Sequence, residues 1–292
     1  MKIDLHLHTK LSDGSLGIED IILQARRTDI DFISITDHDT LAANSRAAFL
    51  GKRYGVEVIP GVELSAFDKS RGRKVHILCY AMGRPERLEG LCLKSCEIRR
   101  QCGKEMIEKV MKLYPLTPEN ILRYSTSSNS VFKQHIMHAL IDYGYALEFY
   151  GELNHKLFNR KDGICYVQRD YPDVNFVLDL IHSAKGVAVM AHPAYYDSFD
   201  LLEELAEKGK LDGVELGHYS AADVQKQSVK DIAEKYNLIV TGGSDFHGLY
   251  NEKPTYIAAE TTSEEELNKL LKKSGDLCLK KSKILATATS PA

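Results

Sequence analysis

The chain begins Met-Lys-Ile-Asp-Leu-His-Leu-His, an alternation of Ile3, Leu5 and Leu7 with Asp4, His6 and His8. In a strand, residues two apart share a face. His6 and His8 therefore project together, and two imidazoles side by side at a strand end make a metal chelate. Similar signals recur along the chain. Thr36-Asp-His-Asp39 follows the apolar run 32–35; His38 is the ligand candidate there, while Asp39 and Thr40 read as caps for a helix starting near Leu41. Glu63 ends the run 56–63, where its two oxygens could bridge two cations. His76 opens the next apolar run, and His192 closes the run 187–192. Asp245 and His247 follow the apolar run 238–241, flanked by Gly242, Gly243 and Gly248. Those glycines would let the backbone approach a metal or anion closely. Each signal alone has a bland reading, as a cap or a core histidine. Together they deliver His, Asp or Glu from five strands to one end of the fold. Without compensation such a cluster is strongly unfavourable, and divalent cations are its natural compensation.

These residues need a scaffold that collects strand ends. Expected strands cover 2–8, 31–36, 56–63, 74–81, 186–192, 212–216 and 238–243. Expected helices cover 17–28, 41–54, 174–184, 198–208, 221–236 and 263–273. Such alternation argues an α/β fold of βα units, and about seven strands at this length favour a closed barrel over an open sheet. The connector 64–73 is too short for a crossover helix, so the strands on either side are expected to pair as an antiparallel hairpin that returns His76 beside Glu63. Between 84 and 173 the pattern turns helical, at 87–113, 117–124, 130–143 and 147–158. This stretch reads as a helical subdomain inserted into the barrel. The expected organisation is thus a metal-binding barrel from 1–83 and 174–275, an inserted substrate-binding subdomain at 84–173, and a tail at 276–292 whose lack of period suggests disorder.

Composition narrows the partners. Net charge is -3, with Lys+Arg 38 against Asp+Glu 41, so no global basic field points to long DNA. A short or mononucleotide partner needs only a local patch. No apolar run is long enough to span a bilayer. The six cysteines show no zinc-ribbon spacing, and the opening run reads as a strand rather than a leader. A reducing cytoplasm with free thiols is the simplest expectation. Cys92 and Cys96 lie one helical turn apart, a spacing that suits a metal but more often marks a helix face packed into a core.

The ordered set Asp4-Leu-His-Leu-His-Thr9, Thr36-Asp-His-Asp39, Gly61-Val-Glu63, Ala191-His-Pro193 and Ser244-Asp-Phe-His247 resembles the polymerase-and-histidinol-phosphatase (PHP) superfamily. The likeness runs from Met1 to about Glu260. It implies a distorted seven-stranded barrel holding two to three divalent ions, of Mn, Fe or Zn character given the mixed ligands. On the family's pattern one ion takes His6, His8, Glu63 and Asp245. A second shares Glu63 and adds His76 and His192. A third uses Asp13, His38 and His247. Asp13 enters only through the resemblance, since an Asp before Gly is ordinarily a turn.

The helical stretch further resembles a bacterial subfamily of small PHP phosphoesterases acting on nucleoside monophosphates, 3′,5′-bisphosphonucleotides or short RNA 5′ ends. That subfamily carries Arg-Pro-His-x-Ala; here Lys133-Gln-His135-Ile-Met-His-Ala139 stands in its place. Lys133, His135, Arg99, Arg100 and His218 are the candidate substrate-binding residues. The implied function is hydrolysis of nucleotide phosphomonoesters by metal-activated water, with His6, His8, Glu63, His192 and Asp245 at the reacting centre. Three alternatives are a histidinol-phosphate phosphatase, an amidohydrolase and a metal-binding scaffold without turnover. The long helical stretch disfavours the first. No lysine ends a predicted strand to carry an amidohydrolase's bridging carbamate, and the complete ligand set argues against the third.

Overall fold

Pro60 breaks the third expected strand, and that break organises the molecule. In the computed structural model, which describes residues 1–217 and 221–275, the run 56–63 is two strands in different sheets. Proline cannot donate to a strand ladder, so pairing stops there and resumes at Gly61. Eight strands result among the described residues: β1 (Ile3–Leu7), β2 (Phe32–Ile35), β3 (Glu57–Val58), β4 (Gly61–Asp68), β5 (Arg73–Tyr80), β6 (Val187–Met190), β7 (Gly213–Gly217) and β8 (Ile239–Gly242). The fold is α/β, with a sheet of order β1-β2-β3 and another of order β4-β5-β6-β7-β8, in place of one continuous seven-stranded set.

The two sheets meet at the strand ends that carry the chemistry. Leu7 bridges Phe246 just beyond β8, and His38 beyond β2 bridges Glu63 in β4. The main chain ties these junctions: His8 N donates to Phe246 O at 2.9 Å and Asp39 N to Glu63 O at 2.9 Å. β4 and β5 pair antiparallel, as the short connector requires, with Ser65 opposite His76 and Glu63 opposite Leu78. β4 runs on to Asp68, further than expected. Glu63 and His76 are diagonal neighbours on one face of the hairpin.

Ten helices surround the sheets among the described residues: α1 (Ile18–Arg27), α2 (Asn44–Tyr54), α3 (Glu86–Met111), α4 (Pro118–Leu122), α5 (Lys133–Asp142), α6 (Glu152–Phe158), α7 (Val174–Ser183), α8 (Phe199–Glu207), α9 (Asp223–Tyr236) and α10 (Glu264–Lys273). None is long and apolar enough to cross a membrane. The apolar residues of β1 serve two cores: Ile3 and Leu5 pack with Leu267 and Leu270 of α10, and Leu7 packs with Ile21 and Ile22 of α1. Strands buried on both sides in this way leave Asp4, His6 and His8 nowhere to go but inward.

The helices from α3 to α6 follow the expected helical stretch, with a core of their own around Ile121, Ile136, Leu140 and Phe158. α3 belongs to two cores. Leu88, Leu91 and Cys92 sit in the main core with β4 to β6, whereas Met106, Ile107 and Val110 sit in the helical one. Cys92 and Cys96 are buried, and the Cys96 thiol donates to Asp39 O at 3.3 Å; they are packing residues. All five cysteines of the described residues are free.

Candidate metal centre

Four donor atoms from three elements face one point. His6 Nε2 lies 3.1 Å from His8 Nε2. Glu63 Oε2 is 3.4 and 3.3 Å from these two nitrogens, and Asp245 Oδ1 is 3.3 and 3.2 Å from them. Five of the six distances in this donor set are thus 3.1–3.4 Å, the spacing of N and O donors that each lie about 2.0 Å from a shared divalent transition ion. Two further groups adjoin this one: His8, Asp13, His38 and His247, and His38, Glu63 and His76, each with donor atoms within 4.8 Å of one another. Buried His8 Nδ1 and Asp13 Oδ1 make no hydrogen bond, and His38 Nδ1 and His76 Nδ1 lie 3.0 and 2.7 Å from Glu63 oxygens outside hydrogen-bond geometry. Buried polar atoms normally have a partner, so these donors fit divalent cations.

Glu63 joins the groups. Its Oε2 faces His6 and His8, and is 3.0 Å from His38 Nδ1. Its Oε1 is 2.7 Å from His76 Nδ1 and 2.9 Å from His192 Nε2. Burial opposes charge on this carboxyl, but the imidazoles of His76, His38 and His6 hold it well below the ordinary range. Burial pushes His76 down to about 4, leaving it neutral and able to ligate. Burial also pulls on His8, but the Asp245 and Glu63 carboxylates overrule it and raise His8 to about 10. A divalent ion would take the place of that proton. His38 stands between two groups, with Nδ1 on Glu63 and Nε2 3.8 Å from Asp13 Oδ2.

The backbone is shaped around these atoms. Asp39, His192 and Asp245 have φ of 53°, 26° and 47°, a left-handed region that costs a non-glycine residue on the order of 1–3 kcal/mol. Local bonds offset the strain. Glu215 Oε2 accepts from His192 N at 2.9 Å, and Asp245 O accepts from His247 Nδ1 at 2.8 Å and from Asn251 Nδ2 at 3.0 Å. Gly243 is required because a Cβ there would lie 2.4 Å from His6 Cβ. The close approach that requires this glycine is to strand β1.

Several supporting residues escaped the sequence reading. Glu215 Oε1 accepts from His6 Nδ1 at 2.9 Å, which leaves Nε2 of that ring for a metal. Asp4 accepts from His6 N, Ser244 N, Ser244 Oγ and Ala258 N at 2.6–3.1 Å. Asp37 holds the loop before Asp13 by accepting from Thr9 N, Thr9 Oγ1 and Ser12 Oγ. Alternation put Asp4 on the face of His6 and His8, and Glu215 occupies a strand interior; those were the available signals. Asp39 is no helix cap. It is fully buried, accepts from Ser65 N and Ser65 Oγ at 2.9 Å, and pairs with Arg99 and Arg169.

A cavity of about 220 Å³ opens over the centre, walled by Lys133, Gln134, Tyr150, Asn154, Tyr195 and Lys74. The candidate substrate residues divide. Lys133 lines this cavity and Arg99 an adjoining one. Arg100 does not come in: it is exposed, pairs with Glu97 and donates to Asn129 O. His135 is buried within α5, where its Nδ1 accepts from Phe132 N at 3.2 Å and closes the helix start; it lines neither cavity. His218 and the tail at 276–292 lie outside the described residues.

Comparison with known proteins agrees with this geometry. The model of the PHP domain matches residues 4–244. Phosphoribosyl 1,2-cyclic phosphate 1,2-diphosphodiesterase of Eggerthella lenta is 37% identical over 86% of this chain and 96% of its own length. The 3′,5′-nucleoside bisphosphate phosphatase of Chromobacterium violaceum is 29% identical over 84% of this chain and 87% of its own. Among solved structures, a proposed metal-dependent phosphoesterase of Bifidobacterium adolescentis superposes with a TM-score of 0.85 at 26% identity, covering 94% of this chain and 97% of that one. With its ordered motifs, its converging ligands and a family match spanning most of its length, the chain belongs to the PHP family of phosphoesterases.

Proposed function

We propose that this chain hydrolyses a phosphomonoester of a nucleotide at the His6–His8–Glu63–Asp245 centre, with His76, His192, Asp13, His38 and His247 completing two further metal positions. The observation that carries the reading is the 3.1–3.4 Å spacing of His6 and His8 from each other and from Glu63 and Asp245, beside two more donor groups that share Glu63, His8 and His38. When bound, divalent ions would lower the pKa of a water and draw charge from the phosphate. The chain's own residues do the rest. Glu63 spans two positions with its two oxygens, and Glu215 orients His6 through Nδ1. Lys74 and Lys133 are the cations in the walls of both cavities, and attract the phosphate to the mouth.

The nucleoside would lie along the aromatic and carboxamide wall. Tyr150 is held there by donating to Tyr250 O at 2.9 Å and accepting from Gln134 Nε2 at 3.1 Å, and a fixed ring is a stacking platform. Both named relatives act, by their names, on phosphorylated ribosyl compounds, which favours a nucleotide over histidinol phosphate or an amide. On this reading the two sheets form one distorted barrel, 84–173 is its inserted substrate subdomain, and Mn, Fe or Zn is the ion. The test is phosphate release from nucleoside monophosphates, bisphosphonucleotides, 5′-phosphorylated oligoribonucleotides, histidinol phosphate and an aryl phosphate, with and without chelator. Release from nucleotides that chelator abolishes and metal restores is expected. Turnover that persists in verified metal-free protein would overturn the reading.

A further inference from the structure

The donors at the centre differ in how the fold holds them. His6, Glu63 and His76 lie within β1, β4 and β5, whose ladders fix them. Asp13, His38 and His247 lie in connectors instead, between β1 and α1, between β2 and α2, and between β8 and α10. With His8 these three make one donor group. Connectors are looser than the elements they join, so this group needs support from elsewhere. The helical stretch 84–173 supplies it to all three connectors.

Asn129, between α4 and α5, ties two connectors together. Its backbone N donates to Leu11 O at 3.1 Å, in the connector that carries Asp13. Its side-chain Nδ2 donates to Thr40 Oγ1 at 2.7 Å, in the connector that carries His38. Its own carbonyl accepts from Arg100 Nη2 of α3 at 3.1 Å, which gives that exposed arginine a structural task. Ser128 beside it donates to Ser12 O at 2.8 Å. The His38 connector is gripped again at Asp39, whose Oδ2 takes Arg99 and Arg169, and the Phe132 ring stacks on His38 with centroids 6.1 Å apart. The third connector is met at Tyr250, just past His247. His138 Nδ1 of α5 lies 2.8 Å from the Tyr250 hydroxyl, and Tyr150 donates to the Tyr250 carbonyl at 2.9 Å. An ion that draws donors from three connectors must order them, and a tie made beforehand lowers that cost.

We propose that the helical stretch is a clamp on the Asp13–His38–His247 metal position, with Asn129 as a positioning residue that governs the affinity of that position by joining the Asp13 and His38 connectors. This gives 84–173 a second task beside walling the substrate cavity. The inference rests on the metal positions assigned above and not on the substrate. For the test, metal-stripped full-length protein is titrated with Mn²⁺ in competition with a chelator, and bound ions are counted by elemental analysis. In Asn129→Ala one ion per chain should bind about 3- to 10-fold more weakly, the worth of a neutral hydrogen bond, while the other ions bind as in the wild type. Thr40→Val breaks the same hydrogen bond from its other side and should show the same selective loss, which keeps the test open if Asn129→Ala does not fold. Thr40→Ser keeps the hydroxyl and should bind as the wild type does. His247→Ala removes a donor of this position, so adding Asn129→Ala to it should weaken nothing further. A residue that only supports the fold would weaken every ion alike and would go on doing so beside His247→Ala. That result, or ion binding unchanged by Asn129→Ala and Thr40→Val, would overturn the proposal. Absence of turnover on every substrate would tell against the hydrolase reading alone, because counting ions does not depend on it.

Discussion

Glu215→Gln isolates what one buried carboxylate contributes to the metal centre. Glu215 is almost fully buried, with Oε1 on His6 Nδ1 and Oε2 on His192 N, each at 2.9 Å. Both partners are donors when His6 presents Nε2 to a metal. Glutamine keeps the shape but has one acceptor oxygen, so its amide group must face one of the two N–H groups. The change therefore removes one charge-assisted hydrogen bond, worth roughly 1.5–3 kcal/mol, and lowers the basicity of the His6 ring. Loss of such a supporting contact typically weakens metal binding about 10- to 100-fold, or about 1.4–2.7 kcal/mol at 25 °C. The assay is competition for metal against a chelator of known affinity, followed by turnover at rising metal. The variant should bind metal more weakly, and excess metal should restore much of kcat. Unchanged metal affinity with a lasting loss of kcat would refute the reasoning and put Glu215 in contact with the reacting groups.

His8→Ala or Asp245→Ala should lower both metal content, read by elemental analysis, and turnover, because each supplies a donor to the group formed with His6 and Glu63. Lys133→Ala should reduce kcat/KM on nucleotides by roughly 1.5–3 kcal/mol without loss of metal, and cost less on an aryl phosphate; equal losses would place its ammonium on the reacting phosphate. Asp212 supplies a pH test. Burial works against its charge, but His182, Lys273 and the Ala188 N–H hold its pKa down to about 2. A depressed carboxylate contributes stability above its unfolded pKa that is lost as pH falls through the folded one. Asp212→Asn should therefore lower Tm at neutral pH, with the gap to wild type closing between about pH 4 and pH 2; a gap constant with pH would deny the ion pairing.

The converging donors were legible because strand alternation and strand ends are local facts. Ile3, Leu5 and Leu7 against His6 and His8 fixed which face turned inward, and the short connector after Glu63 fixed the hairpin that brings His76 back. What failed was non-local or ambiguous. Pro60 inside an apolar run signalled a break, yet the run's hydrophobicity read as one strand. Asp39 before a helix has the look of a cap, and only the fold reveals that Arg99 from α3 and Arg169, 130 positions away, converge on it. Glu215 and Lys74 gave no spacing signal, since one carboxylate or one lysine within a strand carries no period. Arg99 and Arg100 are neighbours on a charged helix, and a turn of about 100° per residue separates the buried one from the exposed one.

The continuity of α3 sets how the molecule can open and how it can change. Its 26 residues make a rod about 39 Å long, anchored at one end in the main core and at the other in the helical one. Neither core can come apart alone without breaking helical hydrogen bonds in between, near Arg99. Amides at the middle of α3 should thus exchange with solvent only through global unfolding, and heat should melt both cores in one transition. The same rod constrains descent: the helical stretch cannot be traded between relatives as a cassette without cutting a helix. New specificity in this scaffold should accordingly come from substitution along the faces of α3 and α5 rather than from exchange of the helical stretch.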